Sequence, residues 1–344
     1  MTFQIPQRWV SLAAQYPQLT PARVVLQERG SYRIRTASGE QIGLVSGKYQ
    51  FDALSPSDYP VVGDYVAADC SDPDTAVIHH LLPRKSLFLR KSSGSSRTEQ
   101  AVAANIDTVF LCMSLNNDFN LRRLERYLAV AWESGAQPVV VLTKADLCGD
   151  LPEMQARVGS VAMGAPILTT SSMESDGLAP LLPYIGEGQT VAFVGSSGVG
   201  KSTLINRLLG EERLATGGLR NDDKGHHTTT HRELILLPNG AMVIDTPGMR
   251  ELGLWDTASG MEQTFSDIET LAARCRFRNC SHTGEPGCAI LDALQSGQLD
   301  RSRWQSYQKL KTENTYSADS KSYLEAKEKK FKEIARINKK NKKR

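Results

Sequence analysis

The stretch GSSGVGKST, residues 195–203, follows the apolar run TVAFV and opens into STLINRLL. Gly195-x4-Gly200-Lys201-Ser202 between a strand pattern and a helix pattern is a complete phosphate-loop signature. It constrains the fold more than any other feature of the chain. Its glycines let consecutive backbone N–H groups converge on an anion at a helix N-terminus. Such loops work at the C-terminal edge of a largely parallel sheet, so the flanking residues are expected to be α/β.

The surrounding pattern agrees. IDTVFLCMS, PVVVLTKAD, APILTTSS, TVAFV, HRELILL and AMVIDTPGM read as buried strands. Between the first two, Leu121, Leu124, Leu128 and Trp132 recur at helical spacing. Continuous apolar strands alternating with helices predict an α/β domain over residues 104–262. Residues 22 to about 90 differ: short alternating runs such as RVVLQ, YRIRT and QIGLV, broken by RGS and ASGE, predict a small barrel or sandwich. The polar RKSSGSSRTEQ reads as a flexible linker.

Within the α/β region each motif has a chemical role. Gly195, Ser196, Ser197, Gly198, Val199, Gly200, Lys201, Ser202 and Thr203 form the phosphate cradle, with Lys201 reaching the β- and γ-phosphates and the Ser202 hydroxyl on Mg²⁺. Asp245, at the end of a strand, is placed to hold Mg²⁺ through water, and the Gly248 N–H to sense the γ-phosphate. The stretch GHHTTT, residues 225–230, offers Thr228 and Thr229 to Mg²⁺. Loops held by γ-phosphate and Mg²⁺ make a nucleotide switch.

The tetrad Thr143, Lys144, Ala145 and Asp146 reads as a base reader. The Asp146 carboxylate can accept from guanine N1–H and its exocyclic amine. Adenine lacks that pair of donors and would leave the carboxylate unpaired. TSS at 170–172 adds backbone contacts to the base. In common GTPases the base reader follows the phosphate loop. Here it precedes it, which makes the domain a circular permutation whose site, built on one sheet edge, survives the cut.

Farther on, Cys275-x4-Cys280-x-His282-x5-Cys288 supplies three thiolates and an imidazole within a short span, the donor set of a closed structural zinc site. The remaining cysteines, Cys70, Cys112 and Cys148, are scattered, as suits a reduced compartment. The formal net charge of +3 is uneven. From Lys321 to Arg344 there are 11 Lys or Arg against Glu325, Glu328 and Glu333, a net of +8 that leaves −5 elsewhere. A mildly acidic body with a basic tail points to a polyanionic partner, RNA before membrane. No run of 18 apolar residues and no signal-peptide pattern occurs, so a soluble, cytoplasmic chain is expected, with monomer as the plain default.

The order TKAD, GSSGVGKST, GHHTTT, DTPGMREL and then clustered cysteines resembles the circularly permuted ribosome small subunit-dependent GTPase family (RsgA/YjeQ) over nearly the whole chain. The resemblance implies an OB-fold β-barrel in residues 1–90, a linker at 91–103, a permuted GTPase domain at 104–262, a small helical zinc-binding domain at 263–315 and a basic tail at 316–344. It also implies that GTP is hydrolysed to GDP and phosphate with stimulation by the small ribosomal subunit, during late maturation of that subunit and its rRNA. Thr143 stands where many members carry Asn, which removes an amide near the base and predicts weaker nucleotide binding. His226 replaces a frequent arginine, while His227 matches the family histidine. Met249 follows Gly248 where many GTPases place a water-orienting glutamine, so His227 is expected to be catalytic. The alternative is an RNA-binding assembly scaffold that holds guanine nucleotide with negligible turnover.

Overall fold

The computed structural model describes residues 3–91, 99–174, 176–214, 232–245 and 258–315. A short helix, α1 (Gln7–Ala13), leads into five strands: β1 (Thr20–Gln27), β2 (Tyr32–Arg35), β3 (Glu40–Val45) and, after helix α2 (Gly47–Asp52), β4 (Tyr65–Asp69) and β5 (Thr75–Leu81). β1 pairs with both β2 and β4, β3 runs parallel to β5, and β4 and β5 are antiparallel. These pairings close a five-stranded barrel, as the sequence pattern and the resemblance predict. Alternate residues turn inward, so Ala22, Val24, Ile34, Val66, Ala68, Ala76 and Ile78 fill its interior. α1 lies outside on β4, with Trp9 stacked on Tyr65 at 4.3 Å.

Next comes a hairpin, β6 (Leu87–Lys91) and β7 (Glu99–Ala104), paired antiparallel. The polar stretch read as a linker therefore has a strand at its C-terminal end. The run AVAA at 101–104 is buried, and its small residues pack where a longer apolar pattern would have been recognised. Residues 92–98 lie outside the described residues. Gly63 explains how closely this strand approaches the barrel: at φ +92° its Cβ position is 2.1 Å from the Ala104 carbonyl oxygen, so only glycine fits.

The α/β part comprises β8 (Thr108–Ser114), α3 (Leu121–Ser134), β9 (Gln137–Thr143), α4 (Leu151–Gly159), β10 (Ile167–Thr169), β11 (Thr190–Val194), α5 (Lys201–Leu209), β12 (Arg232–Leu236) and β13 (Met242–Asp245). Its strand order is β10-β9-β8-β11-β13-β12, all parallel except the antiparallel edge strand β12. Both faces are covered, which is why these strands read as unbroken apolar runs. Val109, Leu111, Val140, Leu142 and Val194 face α3 and the C-terminal helices, while Phe110, Val139, Val191 and Phe193 face α5. β12 also pairs with β1 (Leu26 opposite Glu233, Gln27 opposite Arg232), so barrel and α/β sheet form one continuous 11-stranded sheet.

Helices α6 (Ala258–Thr264), α7 (Ser266–Ala272), α8 (Ala289–Ser296) and α9 (residues 301–315) finish the described chain. They dock on α3. Arg303 of α9 is buried and bonds Glu125 of α3 at 2.8 Å, both oxygens of Asp267 at 2.7 and 2.8 Å, and the Thr264 carbonyl at 3.0 Å. Glu125 is fully buried and also accepts from Ser306 and Arg122. No described helix is long and apolar enough to cross a membrane.

Candidate nucleotide and metal sites

Parallel strands deliver their following loops to one sheet edge, and here that edge gathers residues 143–146, 195–203 and Asp245 of the sequence-predicted set. Gly195 leaves β11 against β8: a Cβ there would stand 2.5 Å from the Cys112 carbonyl oxygen, so the first loop position admits only glycine. Gly200 caps α5 and Lys201 begins it. Lys201 Nζ arches back to donate to the carbonyls of Gly195 (2.7 Å) and Ser196 (2.6 Å), spanning the loop that would receive the phosphates. Burial pushes the Cys112 thiol beneath this loop up to about 12, so it stays protonated and inert.

The TKAD loop leaves β9 beside the phosphate loop. Thr143 is buried, and its hydroxyl donates to the Val199 carbonyl at 2.7 Å. The short threonine side chain thus ties the two loops together. Lys144 takes a left-handed conformation (φ +57°) that turns the chain into the 3-10 segment Ala145–Leu147. Asp146 Oδ1 accepts from the Ser171 hydroxyl at 2.6 Å, so the loop after β10 orients the carboxylate. Arg207 of α5 in turn donates to the carbonyls of Ser172 (3.0 Å) and Glu174 (2.9 Å). The helix behind the phosphate loop therefore also holds the second base-side loop. Asp245 ends β13, half-buried, one strand away from the phosphate loop.

His226, His227, Thr228, Thr229, Gly248 and Met249 lie outside the described residues, as does the tail from 316. Two further residues at this edge were not anticipated. Asp118, in the loop after β8, accepts a hydrogen bond from the Ser196 hydroxyl, and Arg123 on α3 donates to both of its oxygens at 2.9 Å. Desolvation pushes the Asp118 carboxyl up, but the Ser196 and Arg123 hydrogen bonds outweigh it and hold the group below the usual carboxylate range. The polar NNDFN directly after a buried strand is the signal that could have found it, because loops at this edge line the site.

The cysteine cluster assembles between α7 and α8. One donor atom from each of Cys275, Cys280, His282 and Cys288 lies within 4.8 Å of the others. His282 adopts φ +58°, which turns Nδ1 toward the sulfurs, 3.6 Å from Cys275 Sγ and 3.4 Å from Cys288 Sγ; those two sulfurs are 4.0 Å apart. A tetrahedron built on Zn–S of about 2.3 Å and Zn–N of about 2.0 Å has edges of roughly 3.8 and 3.5 Å. The donors therefore fit zinc. Burial pushes the Cys275 thiol up, but the N–H groups of Ala289 and Ile290 at the start of α8 outweigh it and leave the thiol below its ordinary value. Glu285 staples the intervening turn by accepting from the N–H groups of Ser281 (2.7 Å) and Thr283 (3.0 Å). Trp304 of α9 meets the His282 ring edge-on at 5.7 Å.

The chain is similar to known proteins in sequence and in fold. Residues 81–255 match the family described as RsgA GTPase. The chain is 51% identical over 304 residues to Small ribosomal subunit biogenesis GTPase RsgA 2 of Lactiplantibacillus plantarum, covering 88% of this chain and 86% of the relative. It is 48% identical over 309 residues to Small ribosomal subunit biogenesis GTPase RsgA of Opitutus terrae, covering 87% and 84% respectively. Its fold is that of YjeQ from Thermotoga maritima (TM-score 0.63, 24% identity, 86% of this chain and 99% of that one). It is equally that of YloQ, a circularly permuted GTPase (TM-score 0.61, 24% identity, 86% and 95%). With the permuted loop order, the extent of these matches places the chain in the RsgA GTPase family, as a GTP-hydrolysing enzyme.

Proposed function

We propose that this enzyme hydrolyses GTP to GDP and phosphate on the small ribosomal subunit, with turnover stimulated by the subunit during its late maturation. The chain would work as a cytoplasmic monomer. What supports the reading is the linkage of base side to phosphate side at one sheet edge: Asp146 is oriented by Ser171, and the loop that carries it is tied to Val199 by Thr143. In this assignment Asp146 reads guanine, and Lys144 and Ala145 flank the base. Gly195 to Thr203 wrap the phosphates, and Lys201 turns from the loop carbonyls to the β- and γ-phosphates. Ser202, Asp245 and Thr228 or Thr229 would hold Mg²⁺, which neutralises charge between the β- and γ-phosphates. The Gly248 N–H senses the γ-phosphate, and His227 orients the attacking water. The proposed division is a barrel in residues 1–90, the GTPase part at 104–262, the zinc segment at 263–315 and the tail beyond.

Cys275, Cys280, His282 and Cys288 would hold one structural zinc, fixing a segment whose own core is small. The exposed Arg274, Arg276 and Arg278 then form a basic edge toward rRNA, as does the lysine-rich tail. The test is phosphate release from GTP, with ATP as control, with and without purified small subunits. GTP-specific turnover that rises strongly with subunits is expected. Equal use of ATP would remove Asp146 as the base reader, and GTP turnover indifferent to subunits would remove the partner.

A further inference from the structure

The loop between β8 and α3 is built to present a carboxylate to the phosphate loop. Asn116 shapes it, accepting at its side-chain oxygen from the Ser114 hydroxyl (2.8 Å) and the Asp118 N–H (3.1 Å), while the Phe119 N–H closes on the Asn116 carbonyl at 3.0 Å. Asp118 then meets Ser196, the second residue of the phosphate loop, and is fixed from behind by both contacts to Arg123. Arg123 stands in the first turn of α3, where its own N–H is capped by Asn120 at 3.0 Å. α3 is not free to drift, since its buried Glu125 is locked to Arg303 and Ser306 of α9.

We propose that Asp118 is a positioning residue for GTP binding: by holding the Ser196 hydroxyl it pre-sets the phosphate loop on the rigid α3 support. A cradle of backbone N–H groups binds phosphate well only when its amides already converge, because ordering the loop on binding subtracts from affinity. The Ser196 hydroxyl thus bonds a carboxylate supplied by another element. A carboxylate so close to a phosphate site would repel the ligand if its charge were uncompensated. Arg123 supplies that compensation, and Lys144 adds to it. The two contacts therefore have separate tasks: Ser196–Asp118 sets geometry, and Arg123–Asp118 cancels charge.

This inference rests on the assignment of residues 195–203 as the phosphate site. The experiment is a titration of the full-length protein with a fluorescent GDP analogue, together with steady-state GTP hydrolysis, for Asp118→Ala, Ser196→Ala, the double variant and Asp118→Asn. Losing one charge-assisted hydrogen bond that orders the loop should weaken binding about tenfold. Asp118→Ala and Ser196→Ala should each show that loss in Kd and KM, with kcat falling by a much smaller factor. The double variant should be no worse than either single one, because both remove the same bond. Asp118→Asn keeps an acceptor oxygen and should recover most of the loss. Unaltered Kd in Ser196→Ala, a conservative change that leaves the fold intact, would overturn the proposal. So would losses that multiply in the double variant. A wild-type protein that bound no GDP would instead sink the phosphate-site assignment itself.

Discussion

Arg303→Met tests how the C-terminal helices are held to the GTPase part. Arg303 is 6% exposed and Glu125 is wholly buried, so the substitution leaves a carboxylate in the interior with one cation fewer. Removing one partner of a buried ion pair costs about 3–5 kcal/mol. Glu125 keeps the Ser306 hydroxyl and the half-exposed Arg122, and Asp267, 24% exposed, can rehydrate. The cost should therefore sit at the low end, about 3 kcal/mol. At roughly 2–4 °C per kcal/mol for a unit of 150–250 residues, Tm should fall by about 6–12 °C.

The assay is thermal unfolding followed by near-UV circular dichroism, with zinc in constant excess. The double variant Arg303→Met, Glu125→Leu removes both charges and should regain most of the loss, since an apolar pair of similar volume is often as stable as the buried ions. A fall in Tm of less than about 2 °C for the single variant would refute the reasoning, because a buried carboxylate that loses its buried cationic partner cannot be that cheap. A double variant no better than the single one would show that Arg303 acts through packing instead.

Other consequences follow from single contacts. Gly63→Ala should destabilise the fold by more than a surface substitution would, by about 1–3 kcal/mol, read as a lower urea midpoint, because its Cβ meets the Ala104 carbonyl at 2.1 Å and φ is +92°; a midpoint equal to wild type would contradict the tight junction. Cys112, pushed up to about 12 by burial, should escape iodoacetamide in the native protein at pH 8 and react only after unfolding, as read by peptide mass spectrometry. Stripping metal with a chelator should expose residues 275–288 to limited proteolysis and leave β8–β13 protected, because the four donors bridge a segment in which Cys288 is the one buried hydrophobic residue; an unchanged cleavage pattern would reject the zinc assignment.

The parts of the fold that were legible in sequence are those written in consecutive residues. The phosphate loop, the TKAD loop and the Cys/His spacing each need only a short window, because the backbone itself brings their donors together. Asp118 with Ser196 and Glu125 with Arg303 join positions 78 and 178 residues apart. Both Asp118 and Glu125 sit in polar or mixed stretches that resemble ordinary surface, and burial of a glutamate on an otherwise amphipathic helix leaves no mark in the periodicity. The Thr143–Val199 contact was out of reach of the sequence for a related reason. A missing amide is visible in the sequence, whereas the closeness of β9 to Val199, which lets a hydroxyl make the contact, is a property of packing. β7 escaped because its buried run is four small residues preceded by a polar stretch, and alanine carries little strand preference.

The continuity of the two sheets sets what a nucleotide-dependent movement could do. β12 is the edge strand of the α/β sheet and the strand entered from the segment that holds GHHTTT. An edge strand bonded on one side could shift by breaking a single ladder. Here β12 is bonded to β13 on one side and to β1 on the other, through Leu26 and Gln27. β1 is in turn the strand that closes the barrel, with β2 and β4 as its neighbours. Arg23 on the same strand is buried against Thr190 at the start of β11, at 2.7 Å. Any displacement of β12 must therefore either break its bonds to Leu26 and Gln27 or carry β1 of the barrel with it. Circular permutation leaves this linkage intact, because the cut after β13 removes no strand from the ladder that joins the two.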